Sequence, residues 1–175
     1  MMRWIAALLL LFPLLATAEI RDAEKHFFDA KLGNFQEELL EAKKQGKQGI
    51  LLFFEMDDCP WCARMKSTIM NQSEVQDFYR QHFLIFPIDT VGATAMTDFK
   101  GRETLEKTYA LENRVRATPT LLFFDLNGNL LVRHTGPSKD KEEFLLLAQY
   151  VIEGGHKEKP FSRYKLQPTK QQPNK

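Results

Sequence analysis

The chain carries two cysteines, Cys59 and Cys62, with only Pro60 and Trp61 between them. Two thiols three positions apart on one helical turn can close a disulfide and open it again, which points first to thiol–disulfide exchange. Pro60 suits the first position of a helix, where its missing N–H has no partner to lose. Cys59 then stands at the helix N-terminus, where unpaired N–H groups and the helix dipole favour a thiolate over a thiol. Asp57 and Asp58 directly before it oppose that effect by like-charge repulsion.

Three other chemistries compete for the pair. Haem attachment needs a His directly after the second cysteine, and Ala63 stands there. A zinc site needs two further ligands. No second cysteine pair exists and His26, His82, His134 and His156 stand alone, so no metal is expected. A structural disulfide is natural in an exported protein, yet closing so short a loop restricts the unfolded chain little. The context favours redox work: an apolar strand ends at Glu55, the chain turns through Met56-Asp57-Asp58, and a helix begins at the cysteines.

The elements that must hold this turn follow from the apolar pattern. Asn34 caps a helix running to about Lys44, with Phe35, Leu39 and Leu40 on its apolar face, and Gly46 ends it. Gln48 to Glu55 reads as a buried strand. After the cysteine helix, Ser73 caps a second helix carrying Val75, Phe78 and Tyr79. Phe83 to Asp89 is another strand, with Pro87 near its end or at a sheet edge. Val91 to Gly101 is a loop without a clear period, and Arg102 to Leu111 is a helix with Leu105, Tyr109 and Leu111. Two apolar runs around Asn127-Gly128-Asn129 form a β-hairpin. Asp140 to Ile152 closes the fold as a helix with Phe144, Leu147, Ala148 and Val151 on one face, stopped at Gly154-Gly155. This alternation defines an α/β fold, three layers with a mixed central sheet between helices.

The two ends are different in kind. Residues 1–18 combine Arg3, the apolar run Ile5 to Leu15 and Ala16-Thr17-Ala18, the layout of a cleavable export signal. The run falls short of the ~20 apolar residues of a spanning helix, so the mature form is expected to lack one and to be periplasmic or otherwise exported. Residues 19–32 read as an N-terminal arm with Phe27-Phe28, and 33–155 as the domain. Residues 156–175 read as a basic, flexible extension, with six Lys/Arg against Glu158 alone. A solvated tail is the ordinary reading of that charge, and contact with membrane lipid or an acidic partner the other. A composition of 43% hydrophobic and 27% charged residues excludes a disordered or fibrous chain, and the 14 phenylalanines point to an aromatic core. Nothing resembles a nucleic-acid motif. A monomer is expected.

The strand, the Cys-Pro-Trp-Cys helix, and the distant Ala117-Thr118-Pro119-Thr120 before an apolar hairpin together resemble the thioredoxin fold over roughly Phe35 to Glu153. The exported single-domain form and the segment VRATPTLLFFDLNGN resemble the thioredoxin-like proteins linked to sulfur oxidation, the SoxW type. The resemblance implies that Pro119 is a cis-proline lying against the cysteines and that the backbone of Thr118 pairs with an extended substrate segment. It implies a redox-active Cys59–Cys62 disulfide, with Cys59 as the attacking thiolate, Cys62 as the buried resolving thiol, and no further cofactor.

This chain departs from thioredoxins in having Asp58 where Trp usually precedes the first cysteine, and Pro60-Trp61 where they have Gly-Pro. Phe53 also takes the place of the buried acid that assists the second cysteine. Glu55, two residues on and on the same face of a regular strand, is the candidate proton-transfer acid; a turn position facing solvent is the alternative. Trp61 reads as an exposed platform for a protein substrate rather than a packing residue. Glutaredoxins also carry an aromatic residue before the second cysteine, but LLFFDLNGN replaces their glutathione site. The expected activity is reduction of protein disulfides, supplied by a membrane thiol reductant. An oxidase or isomerase of the same fold, or a non-enzymatic binding module, are the alternatives.

Overall fold

The computed structural model describes residues 19–166. In chain order the elements are α1 (Ala23–His26), α2 (Phe35–Lys44), β1 (Gly49–Glu55), α3 (Pro60–Thr68), α4 (Ser73–His82) and β2 (Phe83–Asp89). There follow β3 (Ala95–Thr97), β4 (Glu103–Leu105), α5 (Glu106–Glu112), β5 (Thr120–Asp125), β6 (Leu130–Thr135) and α6 (Lys141–Ile152). A 3-10 turn at Gly155–Lys157 and a short α7 (Phe161–Tyr164) come last.

The main sheet has four strands in the order β2-β1-β5-β6. β1 lies parallel to β2 and antiparallel to β5, so the sheet is mixed. Because side chains alternate across a strand, β1 feeds two cores. Leu51 and Phe53 join Met65 of α3, Tyr79 of α4 and Phe144 of α6 on one side. Ile50, Leu52 and Phe54 join Phe35 and Leu39 of α2 and Tyr109 of α5 on the other. The result is a thioredoxin fold with helices on both faces. Gly49 is required where β1 begins: a Cβ there would lie 2.0 Å from the carbonyl oxygen of Phe124 on β5.

The arm closes the outer edge of β2. The N–H of Asp29 donates to the Ile85 carbonyl, and the N–H of Ile85 donates to Asp29 Oδ2, each at 2.8 Å. Phe27 and Phe28 are buried in the core shared with α3, α4 and α6. Asp29 is in turn held by Arg80 of α4 at 2.9 Å.

Several local expectations need correction. The segment expected to be an unstructured loop at 91–101 contains β3, which pairs antiparallel with β4. Two strands of three residues are too short to show a period; their turn is set by Asp98, whose Oδ1 accepts the N–H groups of Lys100 and Arg102. The expected helix from Arg102 therefore starts at Glu106, and Leu111 is 73% exposed. Leu40 is also exposed at 65%; the buried face of α2 is Phe35, Glu38, Leu39 and Ala42, with Glu38 accepting the N–H of Leu32. Ser73 is the first residue of α4 rather than its cap, and Gln72 precedes it with no side-chain capping bond.

The C-terminal extension is folded through residue 166. Phe161 and Tyr164 pack on Tyr150 of α6 with ring centroids 5.3 and 4.9 Å apart. Tyr150 Oη donates to the Lys159 carbonyl, and Lys165 pairs with Glu143 at 2.6 Å. A polar, Pro-containing composition hid two aromatic residues at helical spacing. The expected export signal at 1–18 and the end of the tail at 167–175 lie outside the described residues. Among the described residues no helix is long and apolar enough to cross a membrane.

Candidate active site

Cys59 is the N-cap of α3, with extended backbone, and Pro60 occupies the first helical turn. The pair is closed as a disulfide, and the N–H of Cys62 donates to Cys59 Sγ at 3.1 Å. A helix start thus directs an orphan N–H at Cys59 Sγ, an arrangement that favours negative charge on that sulfur. Both residues are well covered, Cys59 at 5% exposure and Cys62 at 2%. The expected contrast between a solvent-side and a buried cysteine is therefore small in the oxidised form.

Beside the disulfide is an open cleft of about 200 Å³ whose walls include Glu55, Asp57, Cys59, Cys62, Lys66 and Asp89. Glu55 is the last residue of β1, and its side chain is 17% exposed. Lys66, one turn beyond Cys62 on α3, donates to Oε1 at 2.7 Å and lies 2.6 Å from Oε2. Burial pushes the Glu55 carboxyl above its ordinary range; Lys66 opposes that shift, while Glu24 and Asp89 add to it. Burial works against the Lys66 ammonium, but its bonds to Glu24 and Glu55 outweigh this and leave its pKa raised. Phe53 is fully buried, with its ring 5.7 Å from that of Phe28 on the arm.

Trp61 is 54% exposed beside the pair. The Arg64 guanidinium lies 5.8 Å from the centroid of its ring and donates to the Lys139 carbonyl at 2.9 Å. Arg64 thereby links the indole to the connection between β6 and α6. Asp57 and Asp58 are exposed.

The peptide bond from Thr118 to Pro119 is cis. Thr120 lies opposite Phe54 in the register of β5 and β1, so Pro119 falls at the end of the sheet where β1 runs on towards Cys59. Pro119 is buried and Thr118 half-buried. Thr120 Oγ1 donates to the Ala117 carbonyl at 2.7 Å, and the N–H of Gly136 donates to the Pro119 carbonyl at 2.9 Å. Among the described residues no group of three or more His, Cys, Asp or Glu side chains is placed to hold a metal ion.

Sequence reasoning missed Lys66 and Glu24. Lys66 sits four residues after Cys62, which places it on the same side of α3. That spacing was the available signal. Glu24 offered none, because its relevance depends on where the arm lies.

The fold and the dithiol turn define a thioredoxin-like thiol–disulfide oxidoreductase fold. The profile of the thioredoxin-like domain matches residues 35–152, and the chain belongs to that family. Among solved structures it is similar to a thioredoxin-fold protein from Helicobacter pylori, at 19% identity and a TM-score of 0.56, covering 68% of this chain and 80% of that one. A thioredoxin from Thermus thermophilus aligns at 24% identity and a TM-score of 0.53, covering 72% of this chain and 90% of that one. A DsbH oxidoreductase aligns at 23% identity and a TM-score of 0.48, covering 93% and 96%. No curated protein matches the chain.

Proposed function

We propose that the protein is an exported thiol–disulfide oxidoreductase, of the type linked to sulfur oxidation, that reduces disulfides in partner proteins. The observation that carries this reading is the Cys59–Cys62 disulfide at the start of α3, beside a cleft walled by a half-buried acid–lysine pair. Export is supported by the layout of residues 1–18.

The Cys59 thiolate attacks one sulfur of the substrate disulfide, forming a mixed disulfide and releasing the other substrate sulfur as a thiolate. Cys62 then attacks Cys59 Sγ. Its proton passes to the Glu55 carboxylate, the mixed disulfide breaks, and its electron pair leaves on the substrate sulfur that had been bonded to Cys59. The Cys59–Cys62 disulfide is reset by a donor dithiol, a membrane thiol reductant, through the same exchange run from the donor's side. No further cofactor enters. Trp61 supplies an aromatic platform for the substrate, and the backbone at Thr118-Pro119 an extended edge to pair with it. The protein works as a monomer.

The test is a pair of variants assayed against a protein disulfide. Cys59→Ser is expected to lose all turnover, and Cys62→Ser to accumulate a mixed disulfide with substrate, visible on a non-reducing gel. Turnover surviving in both variants would contradict the mechanism.

A further inference from the structure

The family profile starts at residue 35, yet the arm before it reaches the back of the dithiol site. Lys66 Nζ bridges two carboxylates, Glu24 Oε1 on α1 at 2.5 Å and Glu55 Oε2 at 2.6 Å. It also lies 5.3 Å from the ring centroid of Phe28, another residue of the arm. Phe28 in turn packs on Phe53, the apolar residue on the same face of β1 as Glu55. One ammonium is therefore shared between an acid in the redox cleft and an acid on the arm.

We propose that Glu24 is a positioning residue of the redox site, acting through Lys66 on the Glu55 carboxylate beside Cys62. This rests on the proposed exchange reaction, in which Glu55 accepts the Cys62 proton. A carboxylate held by an unshared lysine is a poor proton acceptor, because the positive charge stabilises its ionised form. Glu24 takes part of that charge and faces Glu55 with a like charge of its own. Asp89 of β2 and Asp57 at the cleft wall also face the site, and a substitution at Glu24 removes neither charge. The arm thus tunes how readily the resolving thiol gives up its proton.

The experiment is the pH profile of the resolving step, the release of substrate from a preformed Cys59 mixed disulfide, in the full mature chain. Its acid limb follows ionisation of Glu55. Glu24→Gln leaves Lys66 wholly on Glu55 and is expected to move the limb to lower pH. Lys66→Met removes the counter-charge and is expected to move it to higher pH. Lys66→Arg keeps the charge and is expected to restore the limb. A structural tie between the arm and α3 would lower Tm in these variants without moving the limb. Limbs that stay in place, or that move in one direction for both Glu24→Gln and Lys66→Met, overturn the proposal while leaving the exchange reaction standing. A wild-type protein that never releases substrate overturns both.

Discussion

Glu106 and Glu55 are both paired with lysines under cover, and their surroundings differ. Glu106, at the start of α5, has its side chain only 4% exposed. It pairs with Lys31 through one oxygen and accepts the N–H of Asp89 through the other, while Lys31 also donates to the Pro87 carbonyl. These bonds knit the arm, β2 and α5 together, and no redox group is part of the set. Glu55 is held at both oxygens by one flexible ammonium and opens onto the cleft beside the disulfide. An acid locked to a backbone donor is scaffolding, because protonation would break the bonds that cover it. An acid held by a side chain that a second acid shares can take a proton without unravelling its surroundings.

The largest effect should come from breaking the scaffolding pair. Glu106→Ala leaves the half-buried Lys31 without its counter-charge and the Asp89 N–H without its acceptor, which is expected to cost about 3 kcal/mol of stability, the low end for breaking a covered ion pair. Urea unfolding measures this, and turnover per folded molecule should persist. An unchanged unfolding midpoint would mean that the pair carries no structural weight.

Glu55→Gln should do the reverse. It keeps the shape and is expected to slow the resolving step about 10²-fold, the low end for loss of a positioned general base. Single-turnover release from the mixed disulfide reads it directly. A normal rate would leave the two glutamates alike in function.

A smaller effect separates Glu55 from another covered acid, Asp98. Because burial raises the folded pKa of Glu55, its contribution to stability is full below the ordinary glutamate range and is lost as pH rises through the raised value. For Asp98, burial is outweighed by hydrogen bonds from the Arg102 and Lys100 N–H groups and the Arg102 side chain, and its pKa is depressed. Its contribution is therefore present above the ordinary aspartate range and lost as pH falls through the depressed value. Unfolding midpoints across acidic pH should flatten in opposite ways for Glu55→Gln and Asp98→Asn. The same slope in both variants would refute the distinction.

How much of this was legible in the residues depends on how far each contact reaches along the chain. The strand β1, its turn and α3 were readable because a short apolar run, an acidic turn and Cys-Pro-Trp-Cys act locally. Glu55 was readable as a candidate through strand parity with Phe53. Its partner Lys66 was only half legible: the spacing from Cys62 places it on the right side of α3, but no local rule shows which acid a lysine there will reach. Glu24 and Lys31 were beyond reach for a stronger reason: the arm is placed by long-range burial of Phe27 and Phe28. The same cause hid α7, whose Phe161 and Tyr164 acquire meaning only against Tyr150. The β3–β4 pair was hidden by brevity, its turn depending on one buried aspartate.

Everything proposed for this site depends on Cys59 and Cys62 forming an exchanging redox pair that donates electrons to protein disulfides. The most direct measurement is the reduction potential of the folded protein, by equilibration with a dithiol–disulfide buffer. A fully reversible equilibrium at about −270 mV is expected, in the range of a reductant. A potential near about −120 mV would reverse the direction of exchange. A disulfide that resists dithiols while the protein stays folded would contradict the claim altogether.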